Sequence, residues 1–260
     1  MRGLPNIQAV LFDMGGTLID YPIPTWPVMV SQCAQGVYGY VVQPDRQQPG
    51  PATRVPDPEE ARLRRHAPSP DTAALHRLMM GLRRIVRSLS GHTLPRMAEA
   101  CARPLIAPGH LFDDTLPALQ SLRQRGYRLG LISNTPWGTP DYLWMGQLER
   151  FSLADYFDVR LFSSVVGFRK PDPRIFRLAL RQMNVPPDRA LFVGDLPEAD
   201  VVGAHRTGMT AALIVRPGAP PHAPTPTPDL RIARLTDLLD RLPPLEPAPE
   251  AAGDSPRPSS

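Results

Sequence analysis

Five short apolar runs, separated by stretches with helical spacing, constrain this chain more than any other feature. They fall at residues 7–12, 127–133, 159–164, 190–194 and 211–215. Runs of this length, bounded by turn residues, read as strands buried on both faces. Between them, residues 114–125 place Leu116, Leu119 and Leu122 on one helical face, and Gly126 stops the helix. Residues 140–150 and 173–184 are also helical, and 198–208 is a helix stopped by Gly208. This alternation predicts an α/β fold, a Rossmann-like parallel sheet with helices on both faces. Ligands of such sheets bind beyond the carboxyl ends of the strands.

Those ends carry the chemistry. The first run stops at Asp13, the second at Ser133 and Asn134, and the fourth at Asp195, with Asp200 five residues on. Lys170 lies in the loop after the third run. It is the only lysine among 29 basic residues. A chain that uses arginine everywhere else keeps a lysine where a compact ammonium is needed and a planar guanidinium will not serve. Asp13 and Asp195 are the donors a hard cation such as Mg²⁺ takes. Ser133 Oγ and the amides around Asn134 suit phosphoryl oxygens, and Gly15, Gly16 and Thr17 let backbone approach a ligand. An aspartate in this setting can attack phosphorus and form an aspartyl-phosphate.

The rest of the chain differs in composition. Residues 21–106 show no strand alternation. Residues 71–89 form a strong helical pattern, 25–40 and 94–103 weaker ones, and seven prolines crowd the segment from Pro44 to Pro70. This predicts an inserted helical cap with a proline-rich loop at about 43–70, leaving 1–20 and 107–215 as the core. The tail, 216–260, holds twelve prolines and one expected helix at 230–242, whose leucines pack on the core, and 243–260 is expected to be disordered. Cys33 and Cys101 fit no metal or redox spacing and read as reduced thiols of a cytoplasmic protein. There is no signal-peptide pattern and no run long enough for a membrane span. The formal charge of +4 is spread without a dense block, which argues against nucleic-acid binding. The six histidines, His92 and His205 among them, form no ligand pair and read as surface or packing residues. Trp137 reads as loop packing.

The segments FDMGGTLID, LISNT, GFRKPDPRIF and LFVGDLPEAD occur in the order of the four motifs of the haloacid dehalogenase superfamily, which the chain resembles over 7–20 and about 110–215. The resemblance implies a Mg²⁺-dependent phosphatase acting on a small phosphorylated metabolite. Asp13 is then the nucleophile. Asp13, the Gly15 carbonyl and Asp195 hold the metal with support from Asp200. Gly16, Thr17, Ser133, Asn134 and Lys170 surround the phosphoryl group. One departure stands out. The position two after the nucleophile is usually a second aspartate, the acid–base group, and here it is Gly15. Such a group is worth roughly 10²–10⁴-fold in rate, least for aryl or acyl phosphates whose leaving groups need no proton. Asp20 at the cap hinge, or Asp45, Asp57 or Glu59 from the cap loop, are the candidate substitutes. The alternatives are metal-free hydrolysis of a carbon–halogen bond, disfavoured by Asp195 and Asp200, and a catalytically silent binding protein. A Schiff-base mechanism is disfavoured because the cap has no lysine, and mutase chemistry because it needs the missing acid.

Overall fold

The computed structural model of the protein describes residues 4, 6–22, 28, 31–33, 35–36, 93–135, 139–218 and 226–246. Strand β1 (Ala9–Phe12) is followed by a short β2 (Ile19–Asp20), helix α1 (Thr93–Ile106) and β3 (His110–Leu111). Then come α2 (Thr115–Gln124), β4 (Arg128–Ser133), α3 (Asp141–Arg150), β5 (Val159–Phe162), a single turn α4 (Ser163–Val166) and α5 (Pro173–Met183). The chain continues through β6 (Ala190–Gly194), a π-helical turn at Pro197–Val201, α6 (Val202–Thr207), β7 (Thr210–Ile214), β8 (Leu230–Ile232) and a 3₁₀ turn at Leu235–Asp240. Six strands form one parallel sheet in the order β5-β4-β1-β6-β7-β8. β2 and β3, distant in sequence, pair antiparallel as a separate two-stranded ribbon.

The α/β fold is the expected one, and β1 is central because all four of its residues are apolar and fully buried. Val10 and Phe12 face one apolar layer with Leu119, Leu122 and Leu148, while Ala9 and Leu11 face the other with Phe176, Leu180 and Phe192. Helix α5 earns its place on the second layer through Ile175, Phe176, Ala179, Leu180 and Met183, all buried at i, i+1, i+4, i+5 and i+8. Asp172 caps it by accepting from the Arg174 amide at 2.9 Å.

Four expectations are corrected. Ser163 and Ser164 leave β5 and start α4, where their hydroxyls bond to Thr135 instead of continuing the ladder. The helix expected over 230–242 is a strand and a 3₁₀ turn. Leu230 and Ile232 extend the sheet beside β7, and Leu235, Leu238 and Leu242 bury against the core. The core-facing leucines are thus as expected, on a different backbone. Residues 243–246, expected to be disordered, are docked: Tyr127 Oη donates to Pro243 O at 2.7 Å and Leu245 N to Arg125 O at 2.9 Å. Cys33 and Cys101 are not free thiols but a disulfide, Cα to Cα 4.1 Å, joining segments 68 residues apart. That separation is why spacing alone did not pair them. The expected loop at 43–70, the helix at 71–89 and residues 247–260 lie outside the described residues, as do His92, Trp137, Asp45, Asp57 and Glu59. Among the described residues no helix is long and apolar enough to cross a membrane.

One buried ion pair ties the sheet's carboxyl edge to the tail. Arg216 Nη1 donates to both oxygens of Asp114 at 2.8 Å, and its Nη2 donates to Thr17 O at 2.6 Å. The guanidinium stacks 3.9 Å from the Phe112 ring, and Asp114 also accepts from the Leu235 amide at 2.5 Å. Breaking a buried pair leaves the surviving charge uncompensated. Asp114→Ala is therefore expected to destabilise the fold by about 3–5 kcal/mol, read as a lower urea midpoint. Replacing Asp114 and Arg216 together with apolar residues should cost less than Asp114→Ala alone.

Candidate active site

β1 lies between β4 and β6, so its end meets both neighbours' ends. Phe12 is in register with Leu131 on one side and Val193 on the other. Asp13 continues the ladder for one more bond, its amide donating to Val193 O at 2.9 Å. This register brings Asp13, Ser133 and Asp195 to one edge. Ser133 closes β4 and is buried.

Lys170 arrives from the loop between α4 and α5. Its backbone is clasped by one side chain: Lys170 N donates to Asn134 Oδ1 at 2.8 Å, and Asn134 Nδ2 donates to Lys170 O at 3.0 Å. Nζ then reaches Asp13 Oδ1 at 2.5 Å and Asp200 Oδ1 at 2.7 Å, and sits 5.1 Å from the Phe192 ring centre. Lys170 is 3% exposed and Asp200 1%. Burial pulls the Lys170 ammonium down, but the charges of Asp13 and Asp200 outweigh it and the net shift is upward.

The π-helical turn explains Asp200. Its amide donates to Leu196 O at 2.8 Å and its Oδ2 accepts from Leu196 N at 2.9 Å, so the turn folds the carboxylate back under the strand end. Gly194 is required there, since a Cβ on it would stand 2.2 Å from Asp200 Oδ2. Burial, partly offset by Lys170, pushes Asp200 up to about 6. Burial first, then the charges of Asp13 and Asp200, push Asp195 well above the usual carboxylate range.

One oxygen each from Asp13, Asp195 and Asp200 lie within 4.8 Å of one another. Two of these carboxylates are buried and Asp195 is half-buried, and among the described residues they face a single ammonium, so the site is short of positive charge. An all-oxygen donor set of this kind fits a hard divalent cation. Gly16 makes the cradle. It has φ +75°, and a Cβ on it would stand 2.3 Å from Asp195 Oδ2. Thr17 Oγ1 donates to Asp195 Oδ1 at 3.3 Å.

Some sequence expectations change meaning here. The Gly16 amide is committed to Ile19 O at 2.8 Å, so Gly16 gives room and not a donor. The Asn134 side chain is engaged with the Lys170 backbone and positions that loop. Asp20 stands 3.5 Å from His110 across the β2–β3 ribbon and is half-exposed. His205 sits on α6 against Asp229 at 2.8 Å, paired away from the carboxylate cluster. Sequence spacing missed Tyr21. Its ring packs on Gly15, which no motif signals.

Residues 7–208 match the family described as haloacid dehalogenase-like hydrolase. The chain is 40% identical over 129 residues to a phosphoserine phosphatase of Thermus thermophilus, half of each protein. It thus spans about half the length of that relative. Among solved structures it resembles a phosphatase from Thermococcus onnurineus, with TM-score 0.58, 26% identity, and 90% and 97% of the two chains covered. It resembles equally a 2-haloacid dehalogenase from Pseudomonas syringae pv. Tomato, with TM-score 0.60, 26% identity, and 91% and 98% covered.

Gly16→Ala sets a methyl against the Asp195 carboxylate at a positive φ. It is expected to cost about 1–3 kcal/mol of stability, and any stabilisation that added Mg²⁺ gives the wild type in a thermal melt should shrink in the variant.

Proposed function

Because this chain belongs to the haloacid dehalogenase-like hydrolases, we propose that it is a Mg²⁺-dependent phosphatase for a small phosphorylated substrate, with Asp13 as nucleophile. The observation that carries this reading is the buried ammonium of Lys170 against Asp13, beside a cluster of three carboxylates. That pairing sets a compact positive charge against the carboxylate that an anionic substrate must approach. The relatives named as phosphatases support the same direction.

In this reading Asp13 attacks phosphorus, and the leaving oxygen departs with the bonding pair. Water then hydrolyses the aspartyl-phosphate and restores the carboxylate. Lys170 and the Ser133 hydroxyl stabilise the charge that collects on the phosphoryl oxygens. Asn134 acts by clasping the Lys170 loop. Asp13, the Gly15 carbonyl and Asp195 would hold Mg²⁺, and Asp200, locked to Lys170 and the Leu196 amide, would support them. The bound cation would offset charge between nucleophile and substrate. Thr17 and Gly16 keep Asp195 in place. The segment 21–106 serves as the cap that selects the substrate, and 1–20 with 107–215 as the catalytic core. Metal-free hydrolysis at carbon is the weaker reading, because it leaves the Asp195–Asp200 arrangement without a task.

The test is hydrolysis of para-nitrophenyl phosphate with Mg²⁺ and with chelator. Wild type should turn over only with Mg²⁺, Asp13→Asn should be inactive, and Lys170→Met should lose about 10²–10³-fold in kcat. Activity that survives in chelator, or in Asp13→Asn, overturns the proposal.

A further inference from the structure

Two glycines form a slot for the ring of Tyr21. A Cβ on Gly15 would stand 3.3 Å from the ring's Cδ2, and one on Gly109 would stand 2.6 Å from Cε1. The backbone builds the slot. Asp20 pairs with His110 in the ribbon, so Tyr21 and Gly109 leave it side by side, and Gly15 bridges to Ile19 just before Tyr21. The tyrosine oxygen is buried and has no hydrogen-bond partner among the described residues. Burial pushes this hydroxyl up, the charge of Arg150 pulls it down, and the charge of Asp13 adds to the upward shift. A buried hydroxyl without a partner is a standing cost that a ligand can remove.

We propose that Tyr21 contacts the leaving group of the substrate, and that the substrate is a phosphate whose leaving group departs as a stabilised anion, an aryl or acyl phosphate. This rests on the phosphatase reading above. The ring covers the side of Gly15 from which a side chain would project, so no acid reaches the leaving oxygen from position 15. Among the described residues, the other carboxylates near the nucleophile are committed. Asp200 is held by Lys170 and Leu196, Asp195 by Thr17, and Asp20 lies on the ribbon beside His110. The Tyr21 hydroxyl donates a hydrogen bond to the departing oxygen and keeps its proton. An Asp13 oxygen forms the new bond to phosphorus, the old phosphorus–oxygen bond breaks, and its electron pair leaves on the aryl oxide or carboxylate. Water then attacks the phosphorus of the aspartyl-phosphate and gives its proton to solvent, while the bond from phosphorus to the Asp13 oxygen breaks and its electron pair restores the carboxylate.

The experiment measures kcat/KM with Mg²⁺ on aryl phosphates of graded leaving-group acidity, on acetyl phosphate and on an alkyl phosphate. The proteins are wild type, Tyr21→Phe, Gly15→Asp and Gly15→Asp/Tyr21→Ala. Wild type should fall steeply as the leaving group becomes more basic, and the aryl and acetyl arms show which stabilised anion it prefers. Tyr21→Phe should lose about 10-fold on the preferred arm, yet melt at the same or a higher temperature, because it removes an unpartnered hydroxyl. A structural role alone would lower the melting point and leave the leaving-group slope unchanged. Gly15→Asp should gain nothing on the alkyl phosphate, and the double variant should gain. Tyr21→Phe with unchanged kcat/KM throughout, or a gain by Gly15→Asp alone, overturns the proposal while wild-type turnover upholds the phosphatase reading. A wild type inactive on every substrate overturns both.

Discussion

The ammonium of Lys170 between Asp13 and Asp200 is the contact on which the site depends. Three carboxylates at the ends of adjacent strands repel one another, and burial makes that repulsion expensive. One compact cation with three donors can sit between two of them, where a guanidinium fork would need a wider gap. The surroundings serve this placement. Asn134 fixes the Lys170 backbone through two hydrogen bonds, Phe192 lies beneath the ammonium, and the π-helical turn returns Asp200 to it. π-helical turns are rare and concentrate at functional sites. Here the extra residue per turn sets the Asp200 side chain back onto its own strand end.

A second network holds the opposite flank of the same edge. Arg216 joins Asp114 to the Thr17 carbonyl, Thr115 Oγ1 donates to Leu18 O at 2.8 Å, and Thr17 Oγ1 reaches Asp195. The first loop is thus fixed by residues from three separate parts of the chain. Leu235 adds the tail to this through Asp114. Residues 226–246 thus pair with the sheet through β8 and brace the loop that follows Asp13.

The sheet and its polar ends were legible because burial imposes a pattern on contiguous residues. β1, β6 and the Leu129–Ile132 stretch of β4 are unbroken apolar runs, and each stops where polar residues begin. Lys170 was legible from its rarity alone. What spacing could not show was set by contacts between distant residues. The tail's leucines suit a helix or a strand plus 3₁₀ turn, and only pairing with β7 decides for the latter. The Cys33–Cys101 pair joins segments 68 residues apart, a pairing no local rule gives. Gly16 looked like a phosphate-binding amide, but its amide closes a turn onto Ile19, and its missing side chain is what Asp195 needs.

Gly15 and Tyr21 belong to the same class of hidden fact. Read alone, Gly15 is a lost acid. Read with the ring packed on it, the position has been exchanged for an aromatic surface and one hydroxyl without a partner among the described residues. An acid at a leaving group gains most when that group is basic, and gains little when it is already a stable anion. A site that fills the acid's approach with a ring therefore gives up rate on alkyl esters and loses little on aryl or acyl phosphates. The proposed selectivity then lies in a pair of residues that the antiparallel pairing of β2 and β3 sets against each other.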